Sequence, residues 1–145
     1  MKVEIDQSGK VEKTAKTTYV SDSLSHTIQI SSRNKLVLQN IYRKAGRPRM
    51  FVYELFSALV AILIRQSYTK TNIYIVDTEY LHQDQKLRQL ILRYLQKVKI
   101  YADKNQIRFA KIGKKSKAHS TAYLSYKKNS PSVKVFKEVL RILVQ

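Results

Sequence analysis

The sequence predicts an α/β domain with a mixed five-stranded sheet that carries helices on both faces. Three features predict it. The N-terminal part holds three β-branched segments separated by short polar turns, which favours an antiparallel meander. Longer segments with helical spacing then alternate with two apolar, strand-like runs. The length of 145 residues is typical of one domain, residues 1–145, with a substantial core.

The three antiparallel strands are predicted from alternation and from β-branched residues. In residues 2–8, Val3 and Ile5 fall on one face and polar residues on the other, which is the period of a half-buried strand. Residues 16–21 and 26–30 are rich in threonine, valine, isoleucine and tyrosine, and a short polar connector joins them. These segments therefore predict strands one to three.

Helices and strands are predicted to alternate after this meander. Ser31 and Ser32 are N-cap residues for a helix over 33–44, and Gly46 and Pro48 end it. The elements predicted next are a helix over 50–67, a strand over 72–77, a helix over 83–98, a strand over 107–112, a basic loop over 113–118, and helical pieces over 119–127 and 131–144. The apolar stretch 50–64 is shorter than the roughly 18 residues that a membrane span needs, so we interpret it as a buried helix.

The charge balance is the strongest compositional signal. The chain has 28 lysine and arginine residues against 10 aspartate and glutamate residues, a net charge of +18. Such an excess favours a polyanionic partner, most simply nucleic acid, because highly charged solvated surfaces usually mix both signs. A membrane surface or a ribosome-like assembly is the alternative. The chain lacks cysteine, which excludes disulfides, thiol nucleophiles and cysteine-ligated zinc and fits a cytoplasmic protein.

Two common catalytic arrangements are missing from the sequence. No serine lies in a nucleophile-elbow motif, which argues against a serine hydrolase. The segment Gly113-Lys114-Lys115-Ser116 lacks the spacing of a phosphate-binding loop. The few carboxylates of this basic chain are therefore the main candidates for chemistry.

Two of these carboxylates follow a strand-like run. Residues 73–76 are apolar or aromatic, and Asp77 and Glu79 come directly after them. An acid at the end of a strand lies at the edge of an α/β sheet where ligands commonly bind. We give Asp77 the central role, with a turn or helix cap as its alternative, and interpret Glu79 as a secondary acid.

Three more side chains are candidates, each with an ordinary alternative. Asp6 ends the alternating part of the first strand and would lie near Asp77 if the two strands are neighbours, although it could simply start a turn. Glu54 could point toward the strand ends, or it could simply be a first-turn glutamate that the helix dipole stabilises. His119 follows the basic loop and could complete a metal cluster or be exposed. Clustered carboxylates in a basic protein suit Mg²⁺ or Mn²⁺ and a phosphodiester substrate.

Two segments resemble the ribonuclease H-like superfamily of nucleases, resolvases and transposases. The segment Glu54-Leu55-Phe56-Ser57-Ala58-Leu59-Val60-Ala61-Ile62 looks like the glutamate-bearing first helix of that family. The segment Ile73-Tyr74-Ile75-Val76-Asp77-Thr78-Glu79-Tyr80 looks like its next strand. Asp6 takes the place of the family's first-strand aspartate, and His119 that of its last ligand. The helix over 33–44 is additional to the family's pattern.

The resemblance implies a ribonuclease H-like nuclease. Asp6, Glu54, Asp77 and His119 would be the catalytic and metal-binding residues of a site for two Mg²⁺ or Mn²⁺ ions, acting on RNA–DNA hybrids or on branched DNA. The alternative is a non-catalytic nucleic-acid-binding protein on the same fold. A homodimer is also left open, and no membrane association is expected. The residues expected to bind the nucleic-acid backbone are Lys10, Arg47, Arg49, Lys114, Lys115 and Lys117.

Overall fold

The structure, a computed structural model, describes residues 1–144 and contains six strands and five α-helices in that range. The strands are β1 (Lys2–Ser8), β2 (Thr18–Asp22), β3 (Thr27–Ile30), β4 (Ile73–Asp77), β5 (Ile107–Ala110) and β6 (Val133–Lys134). The helices are α1 (Ser32–Lys44), α2 (Phe51–Arg65), α3 (Asp84–Lys97), α4 (Lys117–Lys128) and α5 (Phe136–Val144). Short 3₁₀ turns at Pro48–Met50 and Lys104–Gln106 precede α2 and β5.

The strands form one mixed sheet in the order β5-β4-β1-β2-β3-β6. The first three strands pair antiparallel, as their short polar connections predict. Strands β4 and β5 each follow a helical connection and pair parallel, β4 with β1 and β5 with β4. The predicted α/β class with a mixed sheet is therefore confirmed.

The predicted strand number needs a correction from five to six within residues 1–144. Residues 131–144 were expected to form one helical piece, but Val133 and Lys134 pair with β3 and the helix begins at Phe136. Pro131 cannot donate a backbone hydrogen bond, and the amide of Val135 donates to the carbonyl of Gln29 instead of to a helical partner. A two-residue strand has no period that the sequence could reveal.

The core lies between one face of the sheet and helices α2, α3 and α5. Twelve of the fifteen residues of α2 are buried, including Leu55, Leu59 and Leu63. They pack in one cluster with Val3 and Ile5 of β1. The apolar stretch 50–64 is thus explained by burial inside the protein, and none of the helices within residues 1–144 is long and apolar enough to cross a bilayer.

The opposite face of the sheet carries polar side chains of β1 and is covered by α4. Successive side chains of a strand point to opposite faces, so Glu4 and Asp6 lie away from the core that holds Val3 and Ile5. The hydroxyl of Ser116, the N-cap of α4, donates to Glu4 over 2.8 Å. Helix α4 therefore begins directly against the polar face of the central strand.

Candidate metal centre

Three carboxylates meet where β1 and β4 lie side by side. Asp6, Asp77 and Glu79 each place one oxygen atom within 4.8 Å of the other two. Asp6 is buried, and the other two side chains are partly buried. Because a divalent cation gathers oxygen ligands at about 2–2.6 Å, this spacing lets one cation contact all three groups after small rotations. The three carboxylates can therefore hold a metal ion.

The parallel register of β1 and β4 brings the two aspartates together. Ile5 pairs with Val76, so the residues that follow, Asp6 and Asp77, are neighbours on adjacent strands. Asp77 is the last residue of β4, as predicted. Strand β1 covers Lys2–Ser8, as predicted, and Asp6 lies within it. The expected proximity of the two carboxylates is thus observed, although Asp6 does not start a turn.

The carboxylates are fixed by contacts to the segments around them. Oδ1 of Asp77 accepts a hydrogen bond of 2.7 Å from the amide of Ile112, just after β5. Oε2 of Glu79 lies 3.4 Å from Nζ of Lys10, in the turn after β1. A carboxylate oxygen has two lone pairs, so these contacts still leave acceptor capacity for a cation.

His119 joins the cluster through Asp6. Nδ1 of His119, in the first turn of α4, lies 2.8 Å from Oδ2 of Asp6. The helix starts at Lys117, two residues earlier than expected, because the side chain of Ser116 accepts from the amide of Ala118. The structure therefore brings His119 to the site by direct contact with Asp6, outside the group of three mutually close carboxylates.

Mutual repulsion and burial make this cluster electrostatically unfavourable without a cation. Burial raises the pKa of Asp6, and the negative charge of Asp77 adds to this, while the hydrogen bond with His119 opposes it. Burial, together with the hydrogen bond to Asp77 and its charge, raises the pKa of Glu79 to about 7, although Lys10 lowers it. A bound divalent cation would favour the ionised form of both acids.

The cluster forms one wall of an open cleft of about 730 Å³. Lys111, Lys114 and Gln7 also line this cleft. Oε1 of Gln7 is buried and has no hydrogen-bond partner within residues 1–144. The cleft thus offers carboxylates and lysines, which fits a hard cation beside an anionic group.

The structure places Glu54 elsewhere. Its carboxylate accepts a hydrogen bond of 2.6 Å from the hydroxyl of Tyr42 and forms an ion pair with Arg47. Tyr42 belongs to α1, and Arg47 lies in the turn after it. The added helix α1 and the turn after it therefore supply the partners of Glu54, and Glu79 is the third carboxylate near the aspartates. Glu54, expected among the clustered acids, is therefore not one of the three mutually close carboxylates.

The predicted nucleic-acid-binding residues fall into two regions. Lys114, Lys115 and Lys117 are exposed around the cleft, where Lys10 contacts Glu79. Arg47 and Arg49 are exposed near the start of α2, and Arg47 forms an ion pair with Glu54. Lys111 and Gln7 were missed by the sequence analysis. The short spacing between β5 and the basic loop was the available signal for Lys111. The period of two along β1 groups Gln7 with Val3 and Ile5 and gave no such signal for it.

No protein-family model matches the chain, and comparisons with curated proteins and with solved structures found no similar protein.

Proposed function

We propose that this protein is a Mg²⁺- or Mn²⁺-dependent phosphodiester hydrolase of ribonuclease H-like type that acts on nucleic acid. The observation that carries the proposal is the meeting of Asp6, Asp77 and Glu79 within 4.8 Å in a chain of net charge +18. Three carboxylates this close together repel one another, and they would also repel a phosphate group, unless they bind a cation. A metal–phosphate site uses both kinds of charge.

The sheet supports the ribonuclease H-like part of this proposal. Strands β1 to β3 are antiparallel, and β4 and β5 follow through helices, which is the arrangement that the resemblance implies. The aspartate pair Asp6 and Asp77 matches the two strand positions of the family pattern. The position of Glu54 departs from that pattern, since the carboxylate is held by Arg47 and Tyr42.

The residues of the cluster and of the cleft would have separate roles in hydrolysis. Asp6, Asp77 and Glu79 would hold the cation, and His119 would orient Asp6 through their hydrogen bond. When bound, the cation would polarise a phosphoryl oxygen and help to activate water. The lysines of the cleft would hold the flanking phosphates, which predicts strongly salt-dependent binding.

The deciding experiment is cleavage of four substrates by the wild type and by Asp77→Asn. The substrates are an RNA–DNA hybrid, duplex DNA, single-stranded DNA and a four-way junction, each with Mg²⁺, Mn²⁺ or EDTA. We expect metal-dependent cleavage that falls by more than about 100-fold in Asp77→Asn, because loss of a ligand should cost at least as much as loss of an outer partner. Asparagine keeps an oxygen that can accept from Ile112, so the fold should be retained.

Asp103→Asn is the matched control. Asp103 is exposed and caps the 3₁₀ turn before β5, at the opposite end of the strands from Asp77, and asparagine can also cap. Equal cleavage by Asp77→Asn and the wild type would falsify the metal-site assignment. Tight binding of the substrates without metal-dependent cleavage would instead support the non-catalytic nucleic-acid-binding alternative.

A further inference from the structure

We propose that Tyr123 is a stacking platform for an unpaired nucleobase next to the metal site. Its side chain is 46% exposed on α4, one helical turn beyond His119. The two rings are parallel within 2° and their centroids lie 6.3 Å apart. One ring of this pair contacts the carboxylate cluster through Asp6, so the other lies just beside the site.

The same face of α4 continues with a positive charge. Lys127, one turn beyond Tyr123, places Nζ 6.0 Å from the centre of the tyrosine ring. His119, Tyr123 and Lys127 are spaced by four residues and therefore form a line along one helix face. At a rise of about 1.5 Å per residue the line extends about 12 Å from the cluster. An imidazole, an aromatic ring and a cation follow one another along it.

The surroundings of this line favour nucleic acid over a protein partner. Residues 111–128 contain lysines at 111, 114, 115, 117, 127 and 128 and have no aspartate or glutamate. Lys127 also lines a second open cleft of about 380 Å³, together with Lys16 and Tyr126. Interleaved aromatic and basic side chains in an open groove are typical of single-strand binding, in which bases stack and phosphates meet cations.

This placement selects among the substrates that the proposed function leaves open. A side chain can stack on a base only where the face of that base is free, and neighbouring base pairs cover both faces inside a continuous duplex. We therefore infer that the substrate has an unpaired nucleotide near the cleaved bond, as at a junction, a flap or a single-stranded end. This inference rests on the nucleic-acid-binding part of the proposed function.

The test compares two fluorescently labelled oligomers of equal length by anisotropy in EDTA, so that no cleavage occurs. One is oligothymidylate, and the other is a deoxyribose-phosphate chain that lacks bases. We expect the wild type to bind oligothymidylate about tenfold more tightly, which is the usual effect of stacking one base on an aromatic ring. Tyr123→Ala should remove most of that preference while it keeps the affinity for the base-free chain.

Two variants control the experiment. Tyr123→Phe keeps the ring and should keep the preference. Tyr101→Ala removes another exposed tyrosine, which lies 75% exposed in the segment before β5 at the opposite end of the strands, and should change nothing. The stacking role is overturned if Tyr123→Ala keeps the full preference for oligothymidylate over the base-free chain, or if Tyr123→Phe loses that preference. Because this readout needs no metal, it stays separate from the Asp77→Asn result, which tests the hydrolase.

Discussion

Nδ1 of His119 lies 2.8 Å from Oδ2 of Asp6, although 113 positions separate the two residues in the chain. The contact joins the first turn of α4 to the middle strand of the sheet. It keeps the imidazole beside a buried carboxylate whose pKa is raised by burial and by Asp77. The orientation of Asp6 therefore depends on a helix that the chain forms long after β1.

Replacement of His119 tests whether it orients Asp6. We expect His119→Ala to lower metal-dependent cleavage by about 10- to 100-fold, the usual cost of losing a group that orients a metal ligand. His119→Asn places an amide near the position of Nδ1 and should recover part of the loss. If asparagine recovers nothing and alanine also weakens Mn²⁺ binding in calorimetry, His119 acts as a ligand in its own right.

The raised pKa of Glu79 predicts that the metal-free protein loses stability as the pH rises from about 4.5 to about 7. The folded-state pKa is about 7 against an ordinary value of 4.5, so the folded state holds the proton more tightly. Stability is therefore lost as pH rises from about 4.5 through about 7, where Glu79 ionises. At pH 8 we expect Glu79→Gln to raise the free energy of unfolding by about 1–3 kcal/mol.

Addition of Mg²⁺ should reverse the stability difference between the wild type and Glu79→Gln. Mg²⁺ that binds the folded wild type raises its melting temperature, whereas Glu79→Gln lacks one ligand and should respond less. Thermal unfolding at pH 5.5 and 8, with and without Mg²⁺, measures both effects, and Asp103→Asn again serves as the control. A wild type that is equally stable at both pH values and indifferent to Mg²⁺ and Mn²⁺ would contradict the metal centre.

The basic loop should account for much of the salt dependence of binding. Lys114 lines the cleft and Lys115, the next residue, is exposed. We expect their double alanine variant to reduce the slope of log affinity against log salt by about 1.5–2. Lys70 and Lys104 are exposed before β4 and β5, at the opposite end of the strands, and their double alanine variant has the same charge change. Equal slopes for the two variants would mean that binding follows total charge instead of this surface.

Lys35 should stabilise the turn that carries Lys10. The side chain is fully buried, and Nζ donates over 2.8 Å to the carbonyl of Lys13 and to the hydroxyl of Thr18. We expect Lys35→Met to lower the free energy of unfolding by about 2–4 kcal/mol, because it leaves buried acceptors unpaired. Lys44→Met, an exposed change in the same helix, should cost less than about 0.5 kcal/mol in chemical denaturation.

The sequence was informative wherever a residue pattern repeats over a whole element. Alternation at Val3 and Ile5 predicted β1, and the continuous apolar run of α2 predicted a buried helix. The serine before α1 predicted its start, and the side chain of Ser31 does accept from the amide of Asn34. Strand β6 was missed because its pairing with β3 depends on a distant segment and leaves no periodic signal.

The sequence by itself determined that β4 would end in Asp77 and that β1 would carry Asp6, because the apolar residues of each strand must be buried and their spacing sets where the strand lies. Only the tertiary structure decided which further acid joins them. Glu54 is bound by Arg47 and Tyr42 and is not part of the cluster, whereas the segment after β4 places Glu79 beside the two aspartates. Local patterns fix which faces are buried, but the choice between two carboxylates depends on contacts between segments far apart in the chain.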